Sequence, residues 1–569
     1  MLQRDRSQLE RLVIRIANFT SKPRVNTAWY SFVVFFFVLL VLLPTIFVLG
    51  YVILEFTAIQ NSVFSNQEIQ SQILSALFYS ISVSIIVSIF DLIFGLPIAW
   101  TLVRKEFRFK SLLNSFIELP LAVPTAGLGF SVALFWGVTP GVESPIFAVQ
   151  FIRNALPMLI LFHFTTTFPY VVRSLTAILE EIDVTLEVAA RTCGASKFTA
   201  ARTVTLPMFR SGVATAMVLS LAKSLSDTGG VVVLLSTIGS AARTGTTLIS
   251  DWKRAHQDPE MIPFEGIPYD SLLPSMAFLA AIMIGIAITL VFVAKIIAKK
   301  AQLPFRKVYP SFEWAVSEGK APQMRQIIAF GFLILFVIIP SFFLVAYLIQ
   351  GASLAALASA NWELFGQSIF MTVLVASVAT VVNVVLGVPM AILIARKSHT
   401  FSRFLDALVD IPYVVPSSAL GFSVGLFWAF QPVIPVNELF FVIMAHISMT
   451  FPFIVRNTVG GLEELDTAYE DVARTLGAKP MQTFREITFP VIKFSIIAGA
   501  IMSFTRSVGE TGATLAVSPT STTAPVFIVN LIKIDQNYFL AALTTIILIL
   551  ISSMLIFTLR ASISRAKRK

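Results

Sequence analysis

Long, unbroken runs of apolar residues separate short polar stretches along this chain. They show neither the alternation of a half-buried strand nor the one-sided spacing of a soluble helix. Residues 31–50 and 327–348 are two such runs, and a helix needs about 20 apolar residues to cross a bilayer. The pattern predicts twelve spans. Six lie near 29–54, 73–103, 113–137, 151–174, 209–237 and 274–297, and six near 327–349, 367–395, 405–430, 438–457, 492–518 and 538–559. Backbone groups in lipid must bond within the chain, so these runs are helices; no series of short alternating segments suggests a barrel. The predicted fold class is an all-α polytopic membrane protein with about 12 transmembrane helices.

The polar pattern repeats too. Residues 180–207 (EEIDVTLEVAARTCG, ending VTLP) match 463–490 (EELDTAYEDVARTLG, ending ITFP) at an offset of 283 without a gap. Residues 118–137, ELPLAVPTAGLGFSVALFWG, match 410–429, DIPYVVPSSALGFSVGLFWA, at an offset of 292. His163, Phe168-Pro169 and Arg173 match His446, Phe451-Pro452 and Arg456 at 283, which leaves nine extra residues between Trp136 and His163. The expected organisation is a segment 1–28, a first repeat 29–297, a basic linker 298–326, a second repeat 327–559 and a basic tail 560–569. Six spans per repeat make the repeats parallel, related by an axis along the membrane normal, and the pathway is expected at their interface.

Composition agrees with this picture: 56% of residues are hydrophobic, and mean hydropathy is +0.83. The net charge of +10 fits loops rich in Lys and Arg better than a nucleic-acid surface. Arg104, Lys105, Arg108 and Lys110 follow the second span, Arg396, Lys397 and Arg403 the eighth, and Arg565, Lys567, Arg568 and Lys569 the twelfth. Both termini and both repeated polar islands are therefore expected to be cytoplasmic. The loop 238–273 is expected outside despite Arg243, Lys253 and Arg254. Residues 1–28 are too polar for a signal peptide, and the run after them is too long. A single cysteine, Cys193, excludes an internal disulfide.

Each polar island reads as a short surface helix. Asp183 and Asp466 are placed to cap it, and Glu187 and Glu470 fall where the helix dipole favours an acid. Gly194 and Gly477 suit the left-handed residue after a helix end, and Pro207 and Pro490 the first turn of the next. The pattern Glu-x-x-Ala-x-x-x-Gly, followed by aliphatic-x-x-Pro, resembles the coupling loop of binding-protein-dependent ABC importer permeases, here as two fused permease halves. The resemblance implies a chain that opens alternately as two separate ABC ATPase subunits close and part. It implies an extracytoplasmic solute-binding protein as donor, and a prokaryotic inner membrane as location. The residues carried over for ATPase coupling are Glu187, Ala189, Ala190, Arg191 and Gly194, with Glu470, Ala473, Arg474 and Gly477. The second copy has Val472 where the first has Ala189, so the two islands are expected to dock differently.

Candidate chemistry is sparse. The sequence holds no Gly-x-x-x-x-Gly-Lys-Ser/Thr, no nucleophile with its base, and four histidines without metal-ligand spacing. It is read as a non-enzyme with no cofactor or metal of its own, and no nucleic-acid partner. Ionisable residues at bilayer depth carry more information. Lys223 and Asp227 in the fifth span match Arg506 and Glu510 in the eleventh, each pair four residues apart on one helix face. Either these pairs tighten the bundle, or Ser226, Asp227, Thr228, Gly229, Glu510, Thr511 and Gly512 line the translocation path. Asp91 has the neutral mate Asn383, which points to helix packing. The proline-glycine stretches 120–129 and 412–421 read as kinks, with path lining as the second reading.

The segment Ser507 to Thr514 resembles its counterpart in sulfate, molybdate and tungstate permeases, whereas fusion of two halves resembles ferric-iron and thiamine importers. A small inorganic ion is the expected substrate, with thiamine or another small organic solute as the alternative. The rival class is a secondary transporter of six plus six helices, which needs no ATPase; a channel or scaffold is a third.

Overall fold

The computed structural model describes residues 23–108, 110–138, 149, 151–258, 267–300, 309–317, 320–351, 360–396, 400–430 and 437–567. Among these, every element is helical apart from one isolated bridge between Gly137 and Ile152. The first repeat contains α1 (Thr27–Leu54), α2 (Gln67–Arg104), α3 (Lys110–Ala122), α4 (Thr125–Trp136) and α5 (Ala155–Glu181). It continues with α6 (Val184–Thr192), α7 (Leu206–Ser226), α8 (Gly229–Thr237), α9 (Gly245–Gln257) and α10 (Tyr269–Lys300). A linker helix, α11 (Pro310–Ser317), leads to the second repeat. That repeat holds α12 (Ala321–Gln350), α13 (Trp362–Arg396), α14 (Thr400–Val414), α15 (Ser417–Ala429) and α16 (Glu438–Glu463). It ends with α17 (Thr467–Thr475), α18 (Phe489–Val508), α19 (Gly512–Val517), α20 (Ala524–Lys533) and α21 (Tyr538–Lys567).

Among the described residues, nine helices are long and apolar enough to cross a membrane, or eleven if two bent pairs each count once. The protein is thus an all-α polytopic membrane protein, and its spans differ from twelve plain rods for a physical reason. Pro124 and Pro416 cannot donate to a continuing helix, so the expected third and ninth spans are broken. α14 and α15 meet at 108°, and α4 has only 12 residues. These are full breaks rather than kinks. Elsewhere Pro97, Pro169, Pro389 and Pro452 sit inside unbroken helices. Outward-facing apolar side chains suit lipid: Phe78 and its repeat mate Phe370 are 63% and 62% exposed.

The repeats exchange their first helices. The Val48 amide of α1 donates to Ser423 Oγ at 3.0 Å, and Ser448 Oγ donates to the Leu40 carbonyl at 2.8 Å. The mates of these residues do the same in reverse: the Leu344 amide of α12 donates to Ser131 Oγ at 3.2 Å, and Thr165 Oγ1 to the Phe336 carbonyl at 2.8 Å. Each first helix therefore seals the other repeat, which ties the halves into one body. Polar nodes at bilayer depth join the helices within each repeat. Asp91 accepts from Thr167 and Ser220, both at 2.6 Å, while Asn383 donates to Thr450 at 2.8 Å. This bears out the packing role read from the Asp91–Asn383 pair.

The segment 238–273, expected as an outside loop, holds a helix in its described part. That part folds back as α9, whose Trp252 is fully buried and whose Ser250 is 5% exposed. The cause is a strongly one-sided helix: Leu248, Ile249, Trp252 and Ala255 share a face and join a core with Leu225, Met276 and Leu420.

Candidate functional site

The candidate site is built up from the capped islands inward. In α6 the Asp183 carboxylate accepts from the Thr185 amide at 2.9 Å, and in α17 Asp466 accepts from Ala468 at 2.9 Å. The Thr185 amide holds the Asp183 carboxyl below its usual range. Gly194 and Gly477 close the helices at φ +92° and +89°, where a β-carbon is strained.

The two glutamates do not point at solvent, as expected of docking residues. Glu187 Oε1 accepts from Arg104 Nε at 3.1 Å and from Thr205 Oγ1 at 2.8 Å. Glu470 mirrors it, with Arg396 Nε at 3.2 Å and Thr488 Oγ1 at 2.8 Å. Both therefore rivet the island to the end of the second helix of its repeat. Ala473 is buried, while Ala189, Arg191 and Arg474 are exposed and Ala190 half-buried. The outward face carries Leu186 and Val188 in α6, and Tyr469, Val472 and Leu476 at α17, the last 83% exposed. The exposed leucines and Val188 were missed in the sequence; their signal is apolar side chains on an otherwise polar helix.

Next to the first island, α11 is clamped by one acid. Glu313 accepts from Arg202 Nη2 at 2.5 Å, from the Tyr309 amide at 3.2 Å and from Thr199 Oγ1. Ser317 Oγ accepts from the Phe198 amide at 2.9 Å. Burial pushes the Glu313 carboxyl up, but the Thr199 and Tyr309 hydrogen bonds and the Arg202 charge outweigh it and hold the group below its usual range.

From the islands a vestibule of about 1280 Å³ runs inward. Its walls are α7 from Pro207 to Ala222, with residues of α14, α16 and α18. At 1.5 Å per residue that stretch of α7 is about 22 Å deep. Near the mouth, Arg456 is held by Asp406 at 2.5 Å and by Asp410 at 2.7 Å.

The vestibule ends at a plug made of the residues read as the translocation path. Ser226, Asp227, Thr228, Gly229, Glu510, Thr511 and Gly512 all come together and all are buried. A β-carbon on Gly229 would lie 2.2 Å from Thr511 Cβ, and one on Gly512 would lie 2.5 Å from Thr228 Oγ1. The two Thr-Gly pairs thus meet reciprocally across the repeat axis, closer than any other side chain allows. Ser417 Oγ donates to the Ser226 carbonyl at 2.7 Å and ties the α15 start to the plug. Lys223 pairs with Asp227 at 3.5 Å and Arg506 with Glu510 at 2.7 Å. The second oxygen of each acid caps the next helix, Asp227 taking the Gly230 amide at 3.3 Å and Glu510 the Ala513 amide at 2.8 Å.

Past the plug, α9 and α20 cross-link the repeats. Arg254 Nη2 donates to Asn530 Oδ1 at 2.9 Å, and Lys533 Nζ to Asp251 Oδ1 at 2.7 Å. Sequence reading missed this contact because the spacing between repeats changes here. The buried His446 ring is satisfied at both nitrogens, 2.6 Å from Ser507 Oγ and 2.9 Å from Thr514 Oγ1, whereas Nδ1 of its repeat mate His163 is buried without a hydrogen-bond partner.

The fused design has half-length relatives. The chain is 33% identical over 214 residues to the sulfate transport system permease protein CysT of Salmonella typhimurium, covering 35% of this chain and 76% of that one. It is 33% identical over 222 residues to the molybdate/tungstate transport system permease protein WtpB of Pyrococcus furiosus, covering 39% and 86%. With the molybdenum transport system permease protein ModB of Escherichia coli it shares 34% over 175 residues, 30% of this chain and 75% of that one. Residues 91–302 and 383–569 each match one family model, and the chain belongs, twice over, to the family of the binding-protein-dependent transport system inner membrane component.

Proposed function

We propose that this chain supplies both permease halves of an ABC importer for a tetrahedral oxyanion of the sulfate or molybdate/tungstate type. The observation that supports the reading is the vestibule between the repeats, walled by α7 of one and by α14, α16 and α18 of the other, which ends at a reciprocal Thr-Gly plug. α6 and α17 dock two ABC ATPase subunits through their outward apolar faces, and the α9–α20 end faces the solute-binding protein. Both termini then lie in the cytoplasm of a prokaryotic cell, with the chain in the inner membrane. The names of the relatives favour an oxyanion over the ferric iron or thiamine that fusion alone suggests.

The test is ATP-driven uptake of labelled sulfate and of molybdate into vesicles holding the chain, its ATPase and its binding protein. Accumulation that stops when ATP is withheld supports the reading. Uptake of neither anion, or uptake driven by an ion gradient without the ATPase, overturns it.

A further inference from the structure

We infer that Lys223 and Arg506 form an anion-receiving station at the closed end of the vestibule, at which Asp227 and Glu510 compete with substrate. The inference rests on the oxyanion reading above and adds which residues meet the ion and why acids stand beside them.

Placement comes first. Two narrow crevices lie at the vestibule's inner end, each about 30 Å³ and each bordered by Lys223, Arg506 and Tyr170. One of them shares Ala222, Tyr413 and Phe453 with the vestibule wall, so it adjoins the vestibule. About 30 Å³ of such space holds a few waters at most, where the vestibule has about 1280 Å³; an oxyanion in the vestibule stops beneath the two cations in this conformation. The cationic side chains come from opposite repeats and are only 15% and 16% exposed, so their fields are weakly screened.

The acids make this a station rather than a trap. Two bare cations would hold a dianion tightly, and conduction needs a site that also lets go. Each carboxylate neutralises its cation from one turn away, yet stays fastened by its other oxygen to the amide of Gly230 or Ala513. It cannot follow the cation toward the substrate, and is in place to reclaim it afterwards. The two sides differ. The Arg506–Glu510 pair is close at 2.7 Å, while Lys223–Asp227 is open at 3.5 Å, and Asp227 Oδ2 accepts no hydrogen bond. Lys223 is the cation released first.

The experiment uses the permease–ATPase complex with labelled sulfate and molybdate, measuring uptake in vesicles and equilibrium binding to the solubilised complex without the binding protein. Lys223→Gln lowers uptake on the order of tenfold, a change of one charge contact, while Lys223→Arg retains most of it. Asp227→Asn leaves Lys223 unneutralised, so anion binding tightens on the order of tenfold while turnover falls. A misfolded variant cannot give that gain. Unchanged uptake by Lys223→Gln, or no tighter binding by Asp227→Asn, overturns the station even though the wild-type protein transports oxyanion. Failure of the wild-type protein to take up either anion overturns the oxyanion reading itself, and the station with it.

Discussion

Lys533 of the second repeat places its ammonium 2.7 Å from the Asp251 carboxylate of the first, and Arg254, its counterpart in the first, reaches 2.9 Å to Asn530 in the second. Both bonds cross between the halves beyond the plug. Asp251 also takes Arg243 Nε at 2.9 Å, so one acid gathers two bases and the seal is uneven. If the halves part at this end when substrate enters, the contact opposes opening. Lys533→Met then raises ATP hydrolysis in the absence of binding protein, by about 5- to 150-fold for a coupling of about 1–3 kcal/mol. Asp251→Asn acts in the same direction, and the double variant adds little. Unchanged basal hydrolysis in both single variants shows that the latch carries no coupling.

The inward turn of Glu187 and Glu470 alters what their removal does. Each acid is ion-paired to Arg104 or Arg396 in a mostly buried setting, so its removal acts on the fold as well as on docking. Breaking one partner of a buried pair costs about 3–5 kcal/mol. Glu470→Ala, whose carboxylate is the more enclosed, sits toward that range, and Glu187→Ala falls below it. The check is the thermal midpoint of the purified chain in detergent, without any ATPase. Exchanging the charges, Arg396→Glu with Glu470→Arg, regains part of the loss. Equal midpoints for wild type and Glu470→Ala place the acid back among pure docking residues.

Glu313 makes linker docking sensitive to acid. Its folded-state carboxyl is held below the ordinary 4.5 by Thr199, the Tyr309 amide and Arg202, against the upward push of burial. A depressed pKa means the contribution is complete above the ordinary value and is lost as pH falls through the native one. Protection of the Phe198 amide, which donates to Ser317, therefore drops below pH 4.5 after correction for intrinsic exchange. In Glu313→Gln protection is low at neutral pH and nearly flat. A wild-type profile as flat as the variant's means the clamp does not hold the linker.

Most of the architecture was legible because lipid leaves a chain few choices. Apolar length revealed the spans, and gap-free repetition at 283 revealed the parallel halves. Even the plug could be read, since Asp227-Thr228-Gly229 and Glu510-Thr511-Gly512 stand out in apolar surroundings. Long-range partnership could not. Nothing local says that Arg104 at a helix end will meet Glu187, or that α1 will seal the opposite repeat. Likewise α9 looks like a polar loop because its charges are written beside its apolar face; only packing shows Trp252 buried while Asp251 and Arg254 reach Lys533 and Asn530.

The outward faces of α6 and α17 differ in a way that bears on docking. Leu186, Val188 and Ala189 in the first are answered by Tyr469, Asp471 and Val472 in the second, with Leu476 in place of Cys193. Tyr469 is 64% exposed and Val472 57%, so the second helix offers a bulkier and more acidic surface. Where a groove fits one shape closely, overpacking costs about 1–3 kcal/mol, or roughly a ten- to hundredfold change in affinity. A homodimeric ATPase presents two equal grooves and has no way to match each helix separately. Exchanging residues 183–194 with 466–477 keeps composition and, because Glu187 and Glu470 trade equivalent places, keeps both rivets to Arg104 and Arg396. Substrate-stimulated hydrolysis and uptake then fall together while the thermal midpoint stays near that of the wild type. If both activities survive the exchange, the grooves accept either face, and the difference between the islands has no part in the mechanism.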